Sequence, residues 1–251
     1  MSLINRQQSA QFEELGYFVT EPMWTTDELD KVTGEINRLH AKAIEDAVAI
    51  SRDVKTIEQI RYRAFIGQAH LSSPLLCGFV SSPIYLEACA KFIGPDADLY
   101  YNQVVIKPPE KGRGFGWHQD SGYTQTQPLA YITCWTAISR TFIDNGCIWV
   151  VPGSHKQGLV EHQYNDDVRE HWVHVDESQA VAVQMQPGQV AIFSSLMLHK
   201  SGPNISDQVR QAYVPQYHVP EAIKTDTGKP FGDQYPVLRR GRPCQDERAS
   251  S

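Results

Sequence analysis

The segment GFGWHQDSGYTQ, residues 114–125, sets His118 and Asp120 two positions apart behind Trp117. In an extended chain alternate side chains share a face, so an imidazole and a carboxylate at this spacing point the same way. Such a pair is either two ligands of one metal ion or an ordinary exposed polar pair. A second pair of the same form, His174 and Asp176 in HWVHVDES, warns that nine histidines and 29 acidic residues produce the spacing by chance. Context separates the two. His174 sits in a polar stretch and reads as a solvated loop histidine. His118 is followed by several strand-like runs and then by SSLMLHKSGPNISDQVRQAYV, where His199 ends an apolar run and Arg210 opens another eleven residues on. His118, Asp120 and His199 together would form the facial set of two imidazoles and one carboxylate suited to Fe(II), with coordination positions left open. An arginine on a neighbouring strand adds a planar fork that can grip the far carboxylate of a dicarboxylate ligand.

Those residues need elements to hold them. RQQSAQFEELGYFVT reads as a short helix stopped near Gly16, then a brief strand at Tyr17 to Val19. After Pro22, Leu29, Val32, Ile36, Leu39 and Ile44 fall at helical spacing, with Thr25 and Glu28 spaced as a capping box. SPLLCGFV and SPIYLEACAKFIG read as two further helices, the second with Pro83 in its first turn and Gly94 at its stop. From Asp98 the texture changes to short β-branched or aromatic runs bounded by Gly, Pro, Asn and Asp: DLYYNQVVIKP, AYITCWTAIS, CIWVVP, AVAVQMQP, QVAIFSSLMLH and VRQAYVPQYHV. Six strands without intervening helices predict a closed or two-sheet β architecture. DNG at Asp144 to Gly146 marks a turn between two of them, and PGSH with His155 reads as a structural turn. The expected organisation is one domain: a helical entry over 1–97, a jelly-roll β core over 98–220 and an extension over 221–251 whose tail after Tyr235 reads as poorly ordered. Glu161 to Gln179 reads as an inserted loop. That insertion and IRYRAFIGQAH are expected to lie as lids over the site, with Arg61 and Arg63 as exposed charges or contacts to an anionic substrate.

Composition narrows the function classes. A hydrophobic fraction of 41% permits a substantial core, and the formal net charge of −6 argues against a nucleic-acid partner. The five cysteines form no CxxC pair and several lie in apolar runs, the pattern of buried reduced thiols in a cytoplasmic protein. No apolar run approaches the length of a membrane span or a signal-peptide core, so a soluble protein acting on a small molecule is expected.

WHQDSGY, DNGCIWVVPGSHKQG and PGQVAIFSSLMLHKSGPNISDQVR, together with the entry FEELGYFVTEPMWTTDEL, resemble the phytanoyl-CoA dioxygenase family of Fe(II)- and 2-oxoglutarate-dependent oxygenases over most of the chain. The resemblance implies a double-stranded β-helix core and Fe(II), 2-oxoglutarate and O2 as cofactor and cosubstrates, with succinate and CO2 released. It implies His118, Asp120 and His199 as iron ligands, Arg210 on the distal carboxylate of 2-oxoglutarate, and Ser201 beside it. Lys107 in VVIKPP and Trp135 in TCWTAI match positions lining the cosubstrate pocket, and Gln103 shares a strand face with Lys107. Read without the family, Lys107 is a solvated strand end, Trp135 a core aromatic and Ser201 the start of a turn. Hydroxylation is the default outcome. Halogenating relatives replace the carboxylate ligand, which Asp120 retains, while desaturation, epoxidation and cyclisation use the same ligands. The net negative charge shows no cluster for a polyanionic CoA, which favours a small free metabolite or natural-product intermediate as substrate. Two other classes stay open: a cupin-like metalloenzyme such as an isomerase or hydrolase, and a β-barrel binding module without catalysis.

Overall fold

The computed structural model describes residues 2–50, 64–109, 114–165, 170–232 and 235–244. Arg61 and Arg63 lie outside the described residues. The entry forms as its pattern predicts. Helix α1 (Arg6–Leu15) is opened by a reciprocal Asn5–Gln8 capping box and closed by Gly16 at φ 82°, a left-handed position that suits glycine. Strand β1 (Tyr17–Val19) follows, then α2 (Thr26–Ile50), which buries Leu29, Val32, Ile36 and Leu39 along one stripe. The Thr25 and Glu28 box is made, with Thr25 N donating to Glu28 Oε2 at 2.8 Å and Glu28 N to Thr25 Oγ1 at 3.3 Å. Helices α3 (Pro74–Phe79) and α4 (Pro83–Phe92) both start on proline, whose missing N–H is harmless in a first turn.

The β region builds two sheets. The large one runs β1, β11 (Val190–Ser194), β6 (Ile132–Ala137), β13 (Arg210–His218), β3 (Ala97–Lys107), β15 (Tyr235–Arg239) and β16 (Arg242–Pro243), with β2 (Ala64–Gly67) also on the β3 edge. The small one runs β10 (Val181–Val183), β7 (Ile148–Val150), β12 (His199–Ser201) and β4 (Phe115–His118). Residues 138–147, with the 3-10 turn Ile143–Asn145 and Gly146 at φ 80°, carry the chain from the large sheet to the small one at the DNG signal. Both faces of the large sheet are covered. Tyr213, Tyr217, Val104 and Ile106 pack with the helices, whereas Ala212, Val214, Val105 and Trp135 pack with Ile148 and Val150 of the small sheet. This is the jelly-roll expected, and double coverage explains why β13 is buried along its whole length.

Three expectations change. The tail after Tyr235 is not poorly ordered at its start: β15 pairs with the first residues of β3, and Val237 and Leu238 are fully buried. Ala64 to Gly67 of the expected lid IRYRAFIGQAH is instead the edge strand β2, paired to the last residues of β3. The insertion contains a hairpin, β8 (Gln163–Asn165) with β9 (Glu170–Trp172), and it packs outside β4, where Val173 N donates to Trp117 O at 2.8 Å. No described residue of the insertion lines the central cavity; its described part braces β4 from outside, and residues 166–169 lie outside the described residues.

Candidate active site

β4 ends at His118, and the chain stays extended through Gln119 (φ −109°, ψ 140°) before a 3-10 turn starts at Asp120. Alternation therefore holds for the pair, and both side chains reach the same cavity. His199 lies directly across from His118 in the β12–β4 ladder. The imidazole Nε2 atoms of His118 and His199 stand 3.7 and 3.5 Å from Asp120 Oδ1, and the two rings are 4.1 Å apart between centroids. One donor atom from each of the three lies within 4.8 Å of the others, and no other such cluster occurs among the described residues.

The surroundings fix which atoms face inward. His118 Nδ1 is 2.8 Å from Gly116 O, and His199 Nδ1 is 3.0 Å from Met197 O. A carbonyl accepts only, so each Nδ1 carries the proton and each Nε2 presents a lone pair. Burial, and next the His199 ring, push the pKa of His118 well below that of an ordinary histidine. Thr133 Oγ1 and Gln216 Nε2 donate to Asp120 Oδ2 at 2.6 and 2.9 Å, which leaves Oδ1 to face the imidazoles. Two lone pairs and a carboxylate oxygen converge with no proton between them. A metal cation would make that convergence of donors favourable.

The cavity has a volume of about 500 Å³ and runs between the sheets. Arg210 opens β13 at one end, 1% exposed. Its Nη2 donates to Gly146 O at 3.1 Å and its guanidinium carbon sits 5.3 Å from the Trp135 ring centroid. Its Nε and Nη1 are buried without a hydrogen-bond partner among the described residues. Burial lowers its pKa to about 10, so it remains charged at neutral pH. A buried guanidinium with two empty donors costs several kcal/mol unless an anion meets it. Ser201 and Trp135 line the same end of the cavity. Lys107, the cross-strand partner of Arg210, is 2% exposed and does not line the cavity. Its ammonium donates to Ser201 Oγ at 2.8 Å and to the carbonyl of Gly202, and so holds the Ser201 turn from behind. Gln103 lines the cavity beside Val214, nearer Gln216 than Arg210 along the sheet. Tyr100, Tyr101, Tyr123, Tyr131, Phe65 and Phe115 also line the cavity, and burial pushes Tyr100 up to about 12, so its phenol stays protonated.

His174 is exposed, and Asp176 caps a 3-10 turn by accepting from Ser178 N at 2.9 Å, so the second His-x-Asp pair is a loop feature. His155 belongs to a turn that docks on α1, with Gly153 N donating to Leu15 O at 2.8 Å. Sequence reasoning missed Thr133 and Gln216. Gln216 could have been found, because it falls on the same face of β13 as Arg210 at even spacing.

A carboxylate held to one inward oxygen beside two imidazole lone pairs leaves half an octahedron free, and the guanidinium down the barrel calls for a second carboxylate. Such a cavity in a jelly roll belongs to the non-haem iron, 2-oxoglutarate-dependent dioxygenases, which consume O2. The family model described as Phytanoyl-CoA dioxygenase (PhyH) matches residues 12–212, and the chain belongs to that family. It is 27% identical over 228 residues to the peroxisomal phytanoyl-CoA dioxygenase of Bos taurus, covering 84% of this chain and 67% of that one. It is 25% identical over 269 residues to the ectoine dioxygenase of Sphingopyxis alaskensis, covering 96% and 85%. Among solved structures, EvdO2 from Micromonospora carbonacea var. aurantiaca complexed with 2-oxoglutarate superposes with a TM-score of 0.72 at 20% identity, covering 92% of this chain and 97% of that one, a likeness of fold.

Proposed function

We propose that this dioxygenase hydroxylates an unactivated C–H bond of a small metabolite or natural-product intermediate, with His118, Asp120 and His199 holding Fe(II) and Arg210 holding 2-oxoglutarate. The observation that carries the reading is the buried, half-unpaired guanidinium of Arg210 in the same cavity as the triad. A cupin-like isomerase or hydrolase needs the metal ligands but has no use for it. When bound, iron supplies the chemistry that couples decarboxylation of 2-oxoglutarate, to succinate and CO2, with oxidation of a C–H bond. The chain's own residues do the rest. His118 and His199 donate through Nε2, fixed in that tautomer by Gly116 O and Met197 O. Thr133 and Gln216 hold the second oxygen of Asp120, so the carboxylate would offer a metal its other oxygen, Oδ1. Arg210 and Ser201 take the distal carboxylate of 2-oxoglutarate, with Lys107 bracing Ser201. The substrate takes the remaining space of the cavity, whose six aromatic rings and two neutral carboxamides suit a compact, largely apolar molecule. The name of one relative, ectoine dioxygenase, supports a small free metabolite as substrate.

The test is turnover under 18O2 in chloride buffer with a substrate found by screening metabolites for stimulated succinate release. Because Asp120 fills the third protein position, one labelled oxygen is expected in the organic product and one in succinate. A chlorinated product, or an organic product without label from O2, would contradict hydroxylation.

A further inference from the structure

Between the proposed ligands His118, which ends β4, and Asp120 stands Gln119, whose side chain alternation sends away from the cavity. It is 0% exposed, and its carboxamide is saturated: Oε1 accepts from Val160 N at 2.9 Å, and Nε2 donates to Gly158 O at 2.8 Å and Leu196 O at 2.7 Å. Leu196 lies three residues before His199. One carboxamide therefore ties the segment carrying His118 and Asp120 to the segment carrying His199, and both to the segment that leads into the insertion. The backbone N–H of Gln119, which has no strand partner where the β4 ladder ends, donates to His162 Nε2 at 2.9 Å. His162 can accept there because its Nδ1 faces Val160 O at 2.8 Å and carries the proton. The ring fills the space above Gly122, where an added Cβ would come within 2.4 Å of Nε2. Ser121 adds a parallel tie to the same two segments, its N–H and hydroxyl bonding Ser195 O and Oγ at 3.1 and 2.8 Å.

We propose that Gln119 and His162 are positioning residues for the metal centre: they hold the spacing of His118, Asp120 and His199 from the outer side, with Gly158 and Val160 supplied by the segment that leads into the insertion and His162 by the insertion itself. The inference rests on the functional reading above. Its physical basis is that a facial site needs three donor atoms placed together before the metal arrives, and His199 lies 79 residues beyond Asp120 in the chain (199 − 120). Gln119 is poorly replaced by glutamate, whose oxygens would face the two carbonyls that now receive N–H groups. For His162 the expectation differs, because a glutamine oxygen can reach where Nε2 stands and accept from Gln119 N.

The experiment is an anaerobic Fe(II) titration against a competing chelator, with thermal unfolding followed by circular dichroism on the same preparations. Gln119→Met keeps the volume and removes the bonds. His162→Phe keeps the ring and removes the acceptor, and His162→Gln restores it. Cys89→Ala, a core change remote from the site, calibrates how far a loss of stability alone moves the titration. Gln119→Met and His162→Phe are expected to weaken Fe(II) binding by about tenfold to a hundredfold, with His162→Gln near the wild type and Cys89→Ala unchanged. Wild-type affinity in Gln119→Met and His162→Phe, or a loss no greater than Cys89→Ala shows at the same melting temperature, overturns the proposal while the wild type still binds iron. A wild type that does not bind Fe(II) overturns the functional reading and this inference with it. If Gln119→Met does not fold, the three-way comparison of His162, Phe and Gln decides alone.

Discussion

At the scale of single residues, two histidines of this chain share one local pattern and have opposite surroundings. His118 is 5% exposed, keeps its Nε2 lone pair toward Asp120 and faces a second imidazole. His174 is exposed, and its companion Asp176 caps a turn. His118→Ala is accordingly expected to abolish Fe(II) binding, while His174→Ala leaves it within about twofold, an effect below the ~1 kcal/mol that a surface change rarely exceeds. Metal content after anaerobic reconstitution and gel filtration measures both, and equal loss in the two variants would assign the metal to the wrong pair. The proposed ligands were legible because a ligand set has a spacing: two apart on one strand, then a histidine ending an apolar run, then an arginine. Thr133, Gln119 and His162 were not, and of Gln216 only its strand face was. Threonine and glutamine are common, carry no chemistry of their own, and become significant only when strand register sets them against Asp120 or across from Leu196. Lys107 was expected to line the cosubstrate pocket; it pairs across from Arg210 and bonds Ser201 without lining the cavity, a contact that a strand-end lysine does not announce in the sequence.

Elements divide in the same way. The helices were readable from local rules alone: capping boxes at Asn5 and Thr25, the stripe from Leu29 to Leu39, prolines 74 and 83 in first turns, and the Gly16 stop. The edge strands were not, because their reason for existing is elsewhere in the chain. β3 spans eleven residues, and one edge of it is shared: its start pairs with β15 and its end with β2. Neither partner has the alternation of a half-exposed strand, and Pro236 further disguises β15. The burial of Val237 and Leu238 makes the C-terminal strand part of the core. Leu238→Ala is therefore expected to cost about 2–5 kcal/mol in urea unfolding, with Fe(II) binding by the folded protein unchanged. A cost below about 1 kcal/mol would return this segment to the status of a loose tail.

At the scale of the whole molecule, one sheet covered on both faces does two jobs. Its outer face meets the helices through residues such as Tyr213 and Tyr217, and its inner face presents Arg210, Val214 and Gln216 in turn along β13 to the cavity. The small sheet closes that cavity and brings His118 and His199 to face Asp120. No helix among the described residues is long and apolar enough to cross a membrane. The central claim is that one cavity holds a metal at the triad and a dicarboxylate between it and Arg210. An anaerobic titration of the Fe(II)-loaded protein with 2-oxoglutarate reads both at once, through the weak visible charge-transfer band of the chelate. The wild type is expected to develop a saturable band. Arg210→Ala is expected to bind Fe(II) as well as the wild type and to need at least roughly thirtyfold more 2-oxoglutarate, a loss of about 2–5 kcal/mol for a buried charge-assisted pair. No band in the wild type, or the same half-saturation in Arg210→Ala, would contradict the claim.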